Sequence, residues 1–225
     1  MKHFLKVIVI SLLVMGCVPD KKADKQTSIF EISGRTFEMP TAYIQSDLEG
    51  KRIQDEGVNL VYVLPEFKSH ADIENSEEYE EAKKSQRFAH MLIEPLGIKA
   101  PLEIGLQNLR STVEKVEKLS PMGNLERELW YRIVNGKVVP YYEVYIERDR
   151  NGDVISYINC ATFESGSHVK APGCSHLFVD KKIFYDIYYN KDNYLRDWEN
   201  QKRAAINFIN KFEISSSSES QGYLP

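Results

Sequence analysis

Cys160 and Cys174, with His168 between them and His176 just beyond, are the densest gathering of reactive side chains in the sequence. As metal ligands they would read Cys-x7-His-x5-Cys-x-His, which matches no zinc spacing, because ligand pairs that grip one ion sit only a few residues apart. As thiols in an oxidising compartment they would instead close one disulfide, the alternative being two free buried cysteines. Ser167 beside His168 has the residue types of a nucleophile and its base, but neighbours in sequence lack the geometry by which an imidazole takes a hydroxyl proton. Ser165-Gly166-Ser167-His168 also lacks the strand-to-helix elbow that presents a nucleophilic serine. A hydrolase built on His168 or His176 therefore stands as an alternative function, and no catalytic residue is assigned. His3, His70 and His90 add no His-x3-His pair, and the chain has no His-Glu-x2-His helix, calcium loop or glycine-rich phosphate cradle. No metal or cofactor is expected.

Carboxylates and phenols supply the other signal. Glu143 and Glu147 fall on one face of an expected strand, about 13 Å apart at ~3.3 Å per residue, farther than paired catalytic carboxylates work. Tyr141, Tyr142, Tyr145, Tyr157, Tyr185, Tyr188, Tyr189 and Tyr194 gather in the C-terminal half, where tyrosine suits both sheet packing and protein recognition. Tyr142, Val144 and Ile146 alternate with Tyr141, Glu143, Tyr145 and Glu147. The expectation is one apolar face and one solvated face, the latter being the candidate surface for a protein partner.

The N-terminus reads as an address. Lys2 and Lys6 flank the start of an apolar stretch over residues 7–15, and Gly16 is the small residue that a signal peptidase needs beside its cut. The stretch is too short to span a bilayer, which takes ~20 apolar residues. Val14-Met15-Gly16-Cys17 resembles the bacterial lipobox, in which the cysteine thiol is acylated and becomes the new N-terminus; Met15 departs from the small or β-branched residue more common at that place. The resemblance implies a membrane partner reached through lipid on Cys17. Val18, which is not the aspartate that retains such proteins at the inner membrane, implies the outer membrane and its periplasmic face. An ordinary signal is the alternative.

Cleavage before Cys17 takes 16 residues and two lysines from the 225, leaving 209 residues with 27 basic and 33 acidic side chains and a formal charge of −6. Mild acidity without clustered Lys and Arg argues against nucleic acid or an anionic membrane face as partner. With Cys17 acylated, Cys160 and Cys174 are the remaining thiols, and a bond between them would contribute about 3 kcal/mol.

These residues need elements to hold them. Residues 17–28 read as a flexible tether and residues 214–225 as a disordered serine-rich tail. The folded part, residues 29–213, forms either one domain or two subunits, 29–119 and 120–213. Residues 29–32 and 35–39 flank Ser33-Gly34 as a small hairpin, and residues 58–64 form a buried strand ended by Pro65. Residues 72–87, acidic first and basic last, suit one exposed helix. Residues 88–93 read as a strand, and residues 101–116 as a helix with Leu102, Leu106, Leu109 and Val113 on one face, followed by a turn at residues 120–124. Asn135-Gly136 and Asn151-Gly152 join residues 125–134, 137–148 and 154–163 into an antiparallel meander, extended by residues 177–179 and 183–189. Pro140 belongs at an edge or bulge. Asp192 or Asn193 caps a final helix over residues 192–212, with Leu195, Trp198, Lys202, Ala205, Ile209 and Phe212 on the face that lies on the sheet. The class is α+β: a mostly antiparallel, meander-rich sheet with a C-terminal amphipathic helix and one or two further helices.

Cys160, the run Pro172-Gly173-Cys174-Ser175-His176-Leu177-Phe178, and Leu195-Arg196-Asp197-Trp198 resemble a C-terminal pattern of proteobacterial envelope proteins, and Phe37-Glu38-Met39-Pro40-Thr41-Ala42-Tyr43-Ile44 resembles the N-terminal strand and turn of the same group. The resemblance covers about half of the chain, and its motifs are structural. Some proteins of this look are periplasmic immunity proteins that accompany type VI secretion effectors. It implies non-covalent binding of a toxin or effector, with an envelope-assembly or cell-wall-associated accessory lipoprotein as the rival.

Overall fold

Strands of the C-terminal half run up and down beside one another until the last of them meets a strand from the N-terminal half. The computed structural model describes residues 26–45, 57–97, 101–162 and 172–214. Cys17, the tether up to residue 25, Ser167, His168 and residues 215–225 lie outside the described residues. The described chain begins with a hairpin of β1 (Thr27–Ile32) and β2 (Arg35–Pro40), whose turn residues Ser33 and Gly34 both take positive φ, 54° and 76°. Next come β3 (Val58–Val63), β4 (Lys68–Ser69), α1 (His70–Ile73), α2 (Glu77–Lys84), β5 (Phe88–Pro95) and α3 (Leu102–Arg110). A meander follows, made of β6 (Lys115–Met122), β7 (Leu125–Val134), β8 (Lys137–Arg148), β9 (Val154–Ala161), β10 (Gly173–Asp180) and β11 (Ile183–Asn190). The chain then closes with α4 (Lys191–Tyr194) and α5 (Trp198–Asn210).

β3 to β11 form one nine-stranded sheet in the order β4-β3-β5-β11-β10-β9-β8-β7-β6. Neighbours in it are antiparallel. Both Asn-Gly pairs lie in hairpin turns, but only the first makes the two-residue left-handed turn: Asn135 and Gly136 take φ 52° and 75° between β7 and β8, whereas between β8 and β9 Gly152 alone of its pair turns left-handed, at φ 91°. Pro140 sits at a bulge, where the register passes from Trp130↔Tyr142 to Tyr131↔Pro140 and leaves Tyr141 as the extra residue. The α+β class, the meander and the C-terminal helix stand as the sequence implies.

Three local expectations are corrected. The helix expected over residues 101–116 stops at Arg110, where the Ser111 and Thr112 hydroxyls bond back to the carbonyls of Asn108 and Leu109. The chain then becomes β6, an edge strand whose apolar positions are too sparse to show a period of two. The helix expected over residues 72–87 is two pieces, because Asn75 turns left-handed at φ 64° and each piece brings its own cap. Ser69 and Asp72 form a capping box on α1, and the Ser76 hydroxyl accepts from Tyr79 N at the start of α2. The final helical segment is capped by Asn190, whose Oδ1 accepts from Asp192 N and Asn193 N, and not by Asp192 or Asn193.

Helical layers cover both faces of the sheet. On one, α3 sets Leu102 and Leu106 against Trp130, Val144, Ile146, Tyr157 and Phe184. On the other, Trp198, Ala205, Phe208 and Ile209 of α5 share a cluster with Leu60, Met91, Tyr145, Ile158, Tyr185 and Ile187 of the sheet and with Phe37 and Met39 of the hairpin. The hairpin is fixed to the end of α5 by Glu38 N, which donates to Phe212 O, and by Arg35, which pairs with Glu213 at 2.7 Å and donates to Asn210 Oδ1.

Candidate functional site

β9 and β10 place Cys160 and Cys174 directly opposite each other, and the two are joined in a disulfide with Cα atoms 4.1 Å apart. Both cysteines lie in the α5-side core. Since β-strand side chains alternate, His176, two residues past Cys174, points into the same core. There its Nε2 is 2.9 Å from Ser156 Oγ, and its ring meets those of Phe178 and Trp198 at 5.0 and 5.8 Å. This is a serine–histidine contact that adjacency in sequence could not reveal. It is sealed: His176 is 0% and Ser156 1% exposed. Burial, helped by the nearby Lys202 charge, pushes the His176 pKa down to about 3, so the ring is neutral at ordinary pH. A hydrolase mechanism using His176 is corrected on this ground, because a substrate carbonyl has no route to the pair in this conformation. His168 lies outside the described residues.

The face expected to be solvated is not. Tyr145 is 3% and Glu143 7% exposed, because α4 and α5 lie over this side of β8. The glutamates are held by that cover: Glu143 bonds to Lys191 of α4 and to Arg127 of β7, and Glu147 accepts from Lys202 of α5 at 2.9 Å. Burial alone would raise the Glu143 pKa, but hydrogen bonds from Lys191, Tyr145 and Arg127 outweigh it and hold the carboxyl below the usual glutamate value. Glu143, Tyr145 and Glu147 thus clamp the C-terminal segment to the sheet and do not offer an open binding surface. Glu147 is half-buried under Lys202, and Tyr141 is half-buried at the β8 bulge with its ring 4.4 Å from that of Tyr142.

Ile29 at 60% and Tyr188 at 53% are exposed singly, whereas the far end of the β7–β8 hairpin, which is not among the sites expected from the sequence, exposes two apolar residues together. Ile133 and Val138 are opposite each other there, each 55% exposed. Their signal was present in the apolar residues on both sides of Asn135-Gly136, at positions too close to the turn for a helical layer to reach. A shallow cleft of about 490 Å³ between the β6–β7 turn and the start of α5 is lined by Met122, Asn124, Arg196, Trp198 and Asn200, with no histidine or cysteine in its wall. Among the described residues no three His, Cys, Asp or Glu side chains converge as metal ligands would, and no helix is long and apolar enough to cross a membrane.

No family model matches the chain, and no curated protein matches it in sequence. Its fold is shared with solved structures. One is Smlt3025, an immunity protein of the Stenotrophomonas maltophilia type IV secretion system, with a TM-score of 0.58 and 19% identity over 84% of this chain and 94% of that one. Another is the Neisseria meningitidis iron-regulated outer membrane lipoprotein FrpD, with a TM-score of 0.50 and 12% identity over 84% of this chain and 92% of that one. At these identities the likeness is one of fold.

Proposed function

We propose that this chain is an outer-membrane lipoprotein of the periplasmic face that works by non-covalent protein binding, neutralising a secreted toxin or effector as an immunity protein. The observation that carries the reading is the fold shared with an immunity protein along nearly the whole of that protein. Residues 1–16 act as the export signal, Cys17 takes the lipid, and residues 17–28 tether the folded part, with residues 214–225 as a tail. The disulfide agrees with an oxidising compartment. An accessory envelope lipoprotein is the second reading, favoured by the likeness to FrpD.

Two measurements test this. The full chain serves as bait against the secreted and periplasmic proteins of its own cell. A stoichiometric partner whose toxicity or enzymatic activity falls on binding supports immunity; co-sedimentation with peptidoglycan and no protein partner supports the accessory role. Metabolic labelling with palmitate that disappears in Cys17→Ala tests the anchor, and labelling that persists rejects it.

A further inference from the structure

The β7–β8 hairpin continues past both of its neighbours. β6 pairs with β7 as far as Tyr131, and β9 pairs with β8 as far as Tyr142. Residues 133–138 therefore have no flanking strand among the described residues, and at ~3.4 Å per residue the arms reach about 10 Å beyond the sheet. Water-facing strand ends gain nothing from aliphatic side chains, yet Ile133 and Val138 sit opposite each other here and stay exposed. At the base, the Arg132 guanidinium lies 4.6 Å over the Tyr141 ring. Tyrosine and arginine are the residue types that concentrate binding energy at interfaces. Residues 129–142 include Arg132 and Lys137 but no carboxylate, in a chain of net charge −4. A convex, cationic arm with an aliphatic tip complements a concave apolar site with an acidic rim.

We infer that the β7–β8 hairpin is the recognition arm of this protein, and that it inserts Ile133 and Val138 into an apolar cleft of a folded protein partner while Arg132 and Lys137 meet carboxylates on the rim. This rests on the protein-binding reading above and gives it a location.

The test places a photo-crosslinking apolar amino acid at Val138 of the full chain in the producing cell. The control position is Ile104 of α3, an exposed residue beside Glu103, which pairs with Arg148 at the opposite end of β8. The expected result is one protein joined through Val138 and not through Ile104. With that protein as probe, Val138→Glu weakens binding at least thirtyfold, which is about 2 kcal/mol at 1.4 kcal/mol per tenfold. Ile104→Glu changes it less than twofold, both variants melt at the wild-type temperature, and added salt weakens wild-type binding. Crosslinking through Ile104, or unchanged binding by Val138→Glu, overturns the arm and leaves the protein-binding reading in place. Absence of any protein partner of the wild-type chain overturns both. A Val138–Val138 crosslink between two copies, or binding to phosphatidylethanolamine/phosphatidylglycerol vesicles that Val138→Glu abolishes, gives the arm another occupant and overturns the inference.

Discussion

Lys191, the first residue of α4, donates to Glu143 in the middle of β8, and Arg127 takes the other carboxylate oxygen from the neighbouring strand. One strand position therefore fixes where the C-terminal helices land. Glu143→Ala strands two cations beneath that cover. Breaking a fully buried pair costs about 3–5 kcal/mol, but the Lys191 and Arg127 side chains keep 22% and 37% of their exposure, and solvent screens part of the loss. The expected destabilisation is about 1–3 kcal/mol, read from urea unfolding, with Glu143→Gln costing less than Glu143→Ala.

Acid should unfold this protein through His176 before it reaches the carboxylates. A histidine held neutral in the fold binds its proton only after unfolding, so its stabilisation is full above the unfolded value near 6.5 and is lost as pH falls toward about 3. The slope approaches about 1.4 kcal/mol per pH unit in that window. His90, whose pKa is also lowered by burial, acts in the same direction. Glu143 adds its own loss only below its unfolded value of about 4.3. Urea midpoints at pH 7, 6 and 5 should fall steadily for the wild type, and His176→Phe should flatten most of that fall. An equal slope in the variant would reject the assignment.

Reduction of the Cys160–Cys174 bond reopens a loop whose ends are 14 residues apart in sequence. The chain-entropy model gives about 3 kcal/mol for such a loop, which for a domain of this size lowers the melting temperature by roughly 6–12 °C. Thermal melts with and without reductant, and of the Cys160→Ala/Cys174→Ala pair, should agree with each other.

The β10–β11 turn is built from Lys181 and Lys182 at φ 45° and 67°, a left-handed pair that lysine adopts at a cost of about 1–2 kcal/mol per residue. The turn cannot relax freely, because Lys182 O accepts from both Ser33 Oγ and Leu96 N. Replacing the pair with Asn-Gly should stabilise the protein by about 1–2 kcal/mol, seen as a higher melting temperature with an unchanged circular dichroism spectrum.

The turns, the meander and the last helix were legible because their signals are local: Asn-Gly for a left-handed turn, and a three-and-four spacing around Trp198 for a helix laid on a sheet. The cover over β8 was not. A strand reading Tyr-Tyr-Glu-Val-Tyr-Ile-Glu looks solvated on its glutamate side until Lys191 and Lys202 arrive from far along the chain to neutralise it. The same limit hid the Ser156–His176 contact, which strand register creates by setting β9 against β10. The exposed tip at Ile133 and Val138 went unseen for a related reason: a strand's sequence does not tell how far its neighbours extend.

β5 gains its second edge from β11, and the hairpin of β1 and β2 is held by the end of α5 and by the β10–β11 turn. The oldest part of the chain to leave the ribosome is thus finished by the youngest. Such distant pairings slow folding, since the intervening chain must be closed before any contact rewards it. That delay leaves the early half of the chain open for longer. The arrangement ties structural completion to the last forty or so residues, so that β5 and the β1–β2 hairpin stay unfinished until β11 and α5 have been made.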